Sequence, residues 1–160
     1  MPPASSTPPI SDPLACFLEH GLSITVATRD DELQPDGAPA WAALVDGDRT
    51  HLTVFLYEKA VPPVLRNLEQ HSEIAVLFDR PTEHRACQLK GRFVSSRPGR
   101  AAERSQVERQ VEAFREELEA IGIPRAMTAG WSYWPCVAIR FRVERLFEQT
   151  PGPGAGEPMR

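Results

Sequence analysis

The chain has 160 residues, enough for one domain with a real core and too few for two comfortable ones. Its 18 basic and 22 acidic residues are interspersed, with a net charge of -4 and an isoelectric point near 5.6. That balance argues against a broad basic field for nucleic acid or anionic lipid. No apolar run approaches the ~18 residues that span a bilayer, and Met1 to Pro9 lack the basic and apolar regions of a signal peptide. A soluble, cytoplasmic protein is expected.

Cys16, Cys87 and Cys136 are widely spaced and odd in number, with no C-x-x-C pair. A disulfide framework and a metal site are not expected, and the thiols read as buried and unreactive. Residues 1–10 are expected to form a disordered tail, 11–148 the domain, and 149–160 a flexible tail.

In chain order, Ser11-Asp12-Pro13 has the composition of a helix entry, followed by Leu14, Phe17 and Leu18 on one stripe and a stop at His20-Gly21. Leu22 to Thr28 alternates as a strand. Arg29 to Gly37 is polar and closes on Pro35-Asp36-Gly37, a turn signal. Pro39 to Val45 resumes as a strand, Asp46-Gly47-Asp48 turns, and His51 to Tyr57 is its hairpin partner.

Val61, Val64, Leu65 and Leu68 then fall at helical spacing, with Pro62 and Pro63 in the first turn. Ile74 to Phe78 is continuously apolar and reads as a strand covered on both faces. After it, Cys87, Leu89 and Phe93 alternate with Gln88, Lys90 and Arg92 until Pro98-Gly99.

Ala101 to Ile121 carries an apolar seam at Val107, Val111, Phe114, Leu118 and Ile121, with Arg104/Glu108 and Arg115/Glu119 spaced for ion pairs. Gly122 is its stop. Met127 to Pro135 forms an aromatic loop with Trp131, Tyr133 and Trp134, suited to a core edge, a dimer interface or a planar ligand. Val137 to Phe147 is the last strand. The sum is a mainly β domain with peripheral helices, an antiparallel barrel whose size leaves little private cavity.

No nucleophile elbow, P-loop or dinucleotide fingerprint occurs. Lys59, Arg66, Arg85 and Lys90 are candidates for holding an anion if the barrel brings them together, with a solvated rim as the alternative. His84 and Tyr57 are the only acid–base candidates, and the catalytic residues stay unassigned.

This order of pieces resembles the pyridoxamine 5'-phosphate oxidase-like, FMN-binding split barrels. The resemblance runs through Ile24 to Thr28, Asp36-Gly37-Ala38-Pro39, Asp46-Gly47-Asp48, Leu65 to His71 and Gln88-Leu89-Lys90-Gly91. It implies an antiparallel split barrel and a homodimer holding FMN in two interface grooves. It also implies a flavin ring along Trp41, Ala42, Ala43 and Leu44, and a phosphate near Leu56-Tyr57 and the next helix start.

Basic residues usually occupy that helix start, and here it reads Pro62-Pro63-Val64, so Lys59, Arg66, Arg85 or Lys90 would have to supply the charge. With Gln88, these complete the expected cofactor set. The oxidases' arginine at the strand start is also missing, so the implied activity is an FMN-dependent oxidoreductase of unassigned small-molecule substrate. A deazaflavin- or haem-binding barrel, or a non-catalytic dimeric one, is the alternative.

Overall fold

The computed structural model describes residues 10–159. The expected tail over 1–10 therefore lies outside the described residues except for Ile10, which is buried in the core. Helix α1, Asp12–Leu18, starts where expected: the Ser11 hydroxyl accepts the Leu14 N–H at 3.3 Å. Its Leu14, Phe17 and Leu18 face the core, while Cys16 points outward and is exposed, against expectation.

Seven antiparallel strands form one sheet in the order β2-β1-β5-β6-β7-β4-β3. They are β1 Ser23–Arg29, β2 Pro35–Ala40, β3 Ala42–Val45, β4 His51–Tyr57, β5 Glu73–Arg80, β6 Arg85–Pro98 and β7 Cys136–Glu148. The single strand expected from Pro39 to Val45 is instead two, bent at Trp41. Its first part pairs with β1 and its second with β4, at opposite ends of the sheet. One continuous segment thus joins the two edges and curls the sheet into an antiparallel split barrel with peripheral helices.

The turn expected at Pro35-Asp36-Gly37 lies a few residues earlier. Asp30 Oδ1 accepts the N–H groups of Glu32 and Gln34, each at 2.9 Å, and Leu33 takes a left-handed conformation. The aspartate side chain adds to the turn's own backbone bonds, Asp30 N–H to the Gln34 carbonyl and Leu33 N–H to that of Asp30, and Pro35 then starts β2 at an edge, where its missing donor costs nothing. The Asp46–Asp48 turn forms as expected: Asp48 Oδ1 accepts from the Thr50 and His51 N–H groups. Those bonds, the Thr50 one foremost, hold the Asp48 carboxyl well below its ordinary pKa.

Helix α2, Pro62–His71, buries Val64 and Leu68 and also Asn67, whose amide donates to Thr28 Oγ1 and Asp36 Oδ2 at 3.1 and 3.0 Å. This ties α2 across β1 and β2. The barrel core is filled from β1, β4, β5, β6 and β7 by residues including Val26, Leu56, Phe78, Leu89 and Phe141. On β5 the burial alternates: Ile74, Val76 and Phe78 are buried, but Ala75 and Leu77 are only half-buried. The strand expected to be covered on both faces is covered by its own chain on one.

Helix α3, Arg104–Ala120, packs on the outside of the barrel against β3. Val107 and Val111 are buried as expected, but Phe114 and Leu118 are half-buried and Ile121 is exposed. The buried positions are instead Gln110 and Glu117. The Gln110 amide donates to the Ala43 carbonyl at 2.8 Å and accepts the Ala43 N–H at 3.0 Å, so a side chain completes the free edge of β3. One turn-pair further, Glu117 takes Arg80 Nε at 2.9 Å and Thr82 Oγ1 at 2.5 Å. Burial raises the Glu117 pKa, and these donors outweigh it and hold the carboxyl below its ordinary value. Arg104 pairs with Glu108 as expected, whereas Arg115 meets Glu112 rather than Glu119.

The aromatic loop lies at a core edge of the same chain. Trp131 packs on Trp41 with ring centroids 4.9 Å apart and stacks on Phe114 at 5.3 Å. After β7 the expected loose tail turns back instead: the Glu148 N–H donates to the Glu157 carbonyl and the Met159 N–H to that of Leu146. No helix of the described residues is long and apolar enough to cross a membrane.

Burial pushes the Cys87 thiol up to about 12 and Cys136 up to about 11. A disulfide-exchange reagent is therefore expected to titrate one thiol, Cys16, in the native protein and all three after unfolding. Rapid titration of two or more under native conditions contradicts this burial.

Candidate cofactor groove

The predicted residues divide into three places. Trp41, Ala42, Ala43 and Leu44 lie under α3. Ala42 and Ala43 are fully buried, and the main-chain groups of Ala43 are already bonded to Gln110. The adjoining edge group, Val45 N–H, donates to Glu19 Oε1 at 2.7 Å. Trp41 is half-buried against Trp131 and Tyr133, and its indole N–H has no hydrogen-bond partner among the described residues.

Tyr57, Lys59 and Arg66 belong to the stretch where β4 runs into α2. Here a shallow apolar groove of about 320 Å³ is lined by Val61, Pro62, Leu65 and Val137, with Arg66 between Glu58 and Glu69 at its rim. Lys59 and Arg66 are exposed. The prolines fix the first turn of α2 but bring no N–H groups or cations to it.

Gln88 and Lys90 lie on the third place, the outer face of the sheet. Lys90 borders a groove of about 390 Å³ running across β1, β5, β6 and β7. Its floor is made of small residues, Ala27, Ala75 and Gly91, and its walls carry Arg29, Glu73, Arg92, Glu144 and Arg145. Arg29 is held by Glu73 through two bonds of 2.8 and 3.0 Å, and these bonds hold the Glu73 carboxyl below its ordinary pKa. Arg85, at the start of β6, stacks its guanidinium over the Phe17 ring at 4.2 Å. His84 is exposed at the β5–β6 turn in a left-handed conformation.

The four expected cations therefore do not converge within one chain. The Arg66 groove touches Val137 at the start of β7, and Lys90 pairs with Arg145 eight positions along it. At ~3.3 Å per residue that separation is roughly 25 Å. Among the described residues, one cluster with metal-ligand geometry occurs, Asp46, Asp48 and His51. Its carboxylates are engaged by Arg140, the turn backbone and the His51 ring.

Sequence reasoning missed Ala27, Ala75 and Arg145. Ala27 is legible as a small residue on the polar face of an alternating strand, whereas Ala75 is hidden in a continuously apolar run. Arg145 is hidden because β7 carries an extra residue at Glu144 that reverses its alternation.

No family model and no curated protein matches the sequence. Solved structures do. A Lactobacillus delbrueckii protein provisionally named a pyridoxamine 5'-phosphate oxidase superposes with a TM-score of 0.54 at 12% identity, over 87% of this chain and 93% of that one. An F420 reductase gives 0.55 at 16% identity, over 81% and 92%. An FMN-binding protein of Syntrophomonas wolfei gives 0.52 at 9% identity, over 83% and 81%. The fold is thus that of the pyridoxamine 5'-phosphate oxidase-like split barrels.

Proposed function

We propose that the protein is a homodimeric FMN-binding split barrel of the oxidoreductase type, with the flavin in the outer-face groove and a second copy closing it. The observation that carries this reading is the open face of β5. Its apolar run is broken into a buried side and a half-exposed side, Ala75 and Leu77, which continues into Ala27 and the groove. Apolar strand residues on a wet face call for a cover, and small ones leave room for a planar ring beneath it.

The charge layout supports the same arrangement. The Arg66 groove and Lys90 lie roughly 25 Å apart on one chain, so a cofactor meets both only where one copy's Arg66 groove abuts the other's Lys90. The chemistry of the lining fits a flavin mononucleotide: a small-residue floor for the ring and cations for a phosphate, with Gln88 two residues from Lys90 along β6.

When bound, the flavin supplies hydride or electron transfer. The chain's own residues bind and orient it, and the closing copy excludes water. Ala43 has no free main-chain group to offer, so the ring is assigned to the groove rather than to the β3 edge. A deazaflavin is the second reading, favoured by the likeness to an F420 reductase.

The purified protein is expected to show flavin absorption bands, or to acquire them with FMN and then melt several degrees higher, as ligands that bind only the native state require. No bands and an unchanged melting temperature with either flavin or deazaflavin would sink the reading.

A further inference from the structure

The β6–β7 pairing carries an irregularity with a chemical consequence. Gly91 pairs with Val143 and Lys90 with Arg145, leaving Glu144 as the extra residue. Gly91 permits this, since a Cβ there would lie 1.9 Å from the Arg142 carbonyl oxygen. Bulges re-aim side chains, and this one turns Arg145 onto the outer face directly opposite Lys90. Both border the 390 Å³ groove.

Like charges directly opposite on neighbouring strands repel. Two residues along β6 and three along β7, Arg92 and Arg142 form another such pair, and there carboxylates intervene: Glu73 and Glu144 on Arg92 at 3.7 Å each, and Glu144 on Arg142 at 2.9 Å. Neither Lys90 nor Arg145 forms an ion pair with a carboxylate among the described residues. Each approaches the ring of Phe147, at 5.2 and 5.5 Å. The remaining groove arginine, Arg29, is held by Glu73.

We propose that Lys90 and Arg145 form a binding site for a phosphate monoester dianion. Lysine supplies a point charge and arginine a fork matched to phosphate oxygens, and the dianion removes the repulsion between them. It comes from one of two sources, the phosphate of the flavin proposed above, on which reading this source rests, or a separate phosphorylated small molecule.

The test compares FMN with riboflavin by equilibrium dialysis for the wild type, the Lys90→Gln/Arg145→Gln double variant and the charge-keeping Lys90→Arg. FMN is expected to bind the wild type about 10–100-fold more tightly than riboflavin, the range set by charge-assisted bonds. The double variant should lose that preference with its riboflavin affinity intact, and Lys90→Arg should keep most of it. Equal affinities in the wild type, or a preference surviving in the double variant, overturn the flavin phosphate as the source and leave the flavin reading standing; phenyl phosphate then decides the site, and failure to raise the wild-type melting temperature overturns the proposal.

If neither flavin binds, the flavin reading has failed, and inorganic phosphate and phenyl phosphate become the probes. Raised melting temperature in the wild type but not in the double variant then supports the site with a separate ligand. No rise with either probe overturns it. Removing the two repelling charges should leave the unliganded double variant folded, with a melting temperature equal to or above wild type.

Discussion

Gly91→Ala is expected to cost about 3 kcal/mol or more, the upper end for forcing an atom into a packed region. The added Cβ would lie 1.9 Å from the Arg142 carbonyl oxygen and 3.2 Å from the Phe141 ring. Neither neighbour is a flexible side-chain end: one is backbone and the other is buried in the core. The two strands must part where the sheet is held by its longest ladder, β6 on β7. Urea unfolding measures the loss, and Gly47→Ala is the control, because a Cβ there meets nothing within 4 Å. A Gly91→Ala midpoint matching that control would contradict the close approach. A folded variant should also lose phosphate preference, since the same contact sets the bulge that turns Arg145 outward.

Gln110→Leu is expected to cost about 2–4 kcal/mol, the sum of leaving a buried N–H and a buried C=O without partners. Leucine keeps most of the volume, so the loss reports hydrogen bonds rather than a cavity. Gln110 is 2% exposed and both its amide groups are spent on Ala43. Amide exchange supplies the specific readout: the Ala43 N–H should exchange far faster in the variant than in the wild type, while the β1–β5 ladder on the opposite side of the barrel keeps its protection. Ile121→Ala, at a half-exposed position predicted from sequence to be core, should change stability little. A Gln110→Leu protein as stable as that one would mean that α3 does not complete the β3 edge.

The strands were legible because alternation and apolar runs mark them directly, and β1, β4 and α2 lie where their residues place them. The α3 seam shows where that reasoning stops. Periodicity finds a helix and its apolar stripe, but Phe114, Leu118 and Ile121 turn partly to solvent because the positions facing β3 and the β5–β6 hairpin are the polar Gln110 and Glu117. A buried glutamine or glutamate looks like any surface residue until the edge or the arginine it satisfies is in place. The segment bent at Trp41 has the pattern of one strand; only the pairing shows that its halves serve opposite edges.

The candidate site was legible in part. Gln88 and Lys90 were identified from alternation in β6, and they do share the outer face. Arg145 was hidden by one extra residue in β7, and the distance between Lys90 and Arg66 was hidden by strand order, which no local pattern encodes. The continuous apolar run of β5 predicts cover on both faces. Its own chain covers one, and the proposed second copy covers the other.

The most direct test of the dimeric flavin reading is sedimentation velocity of the FMN-loaded protein, recorded both in the protein band and in the flavin's visible band. The account predicts that the flavin travels with a species of twice the chain's mass, at one flavin per chain. Flavin that stays with the small-molecule fraction, or that moves with a single chain, would contradict it.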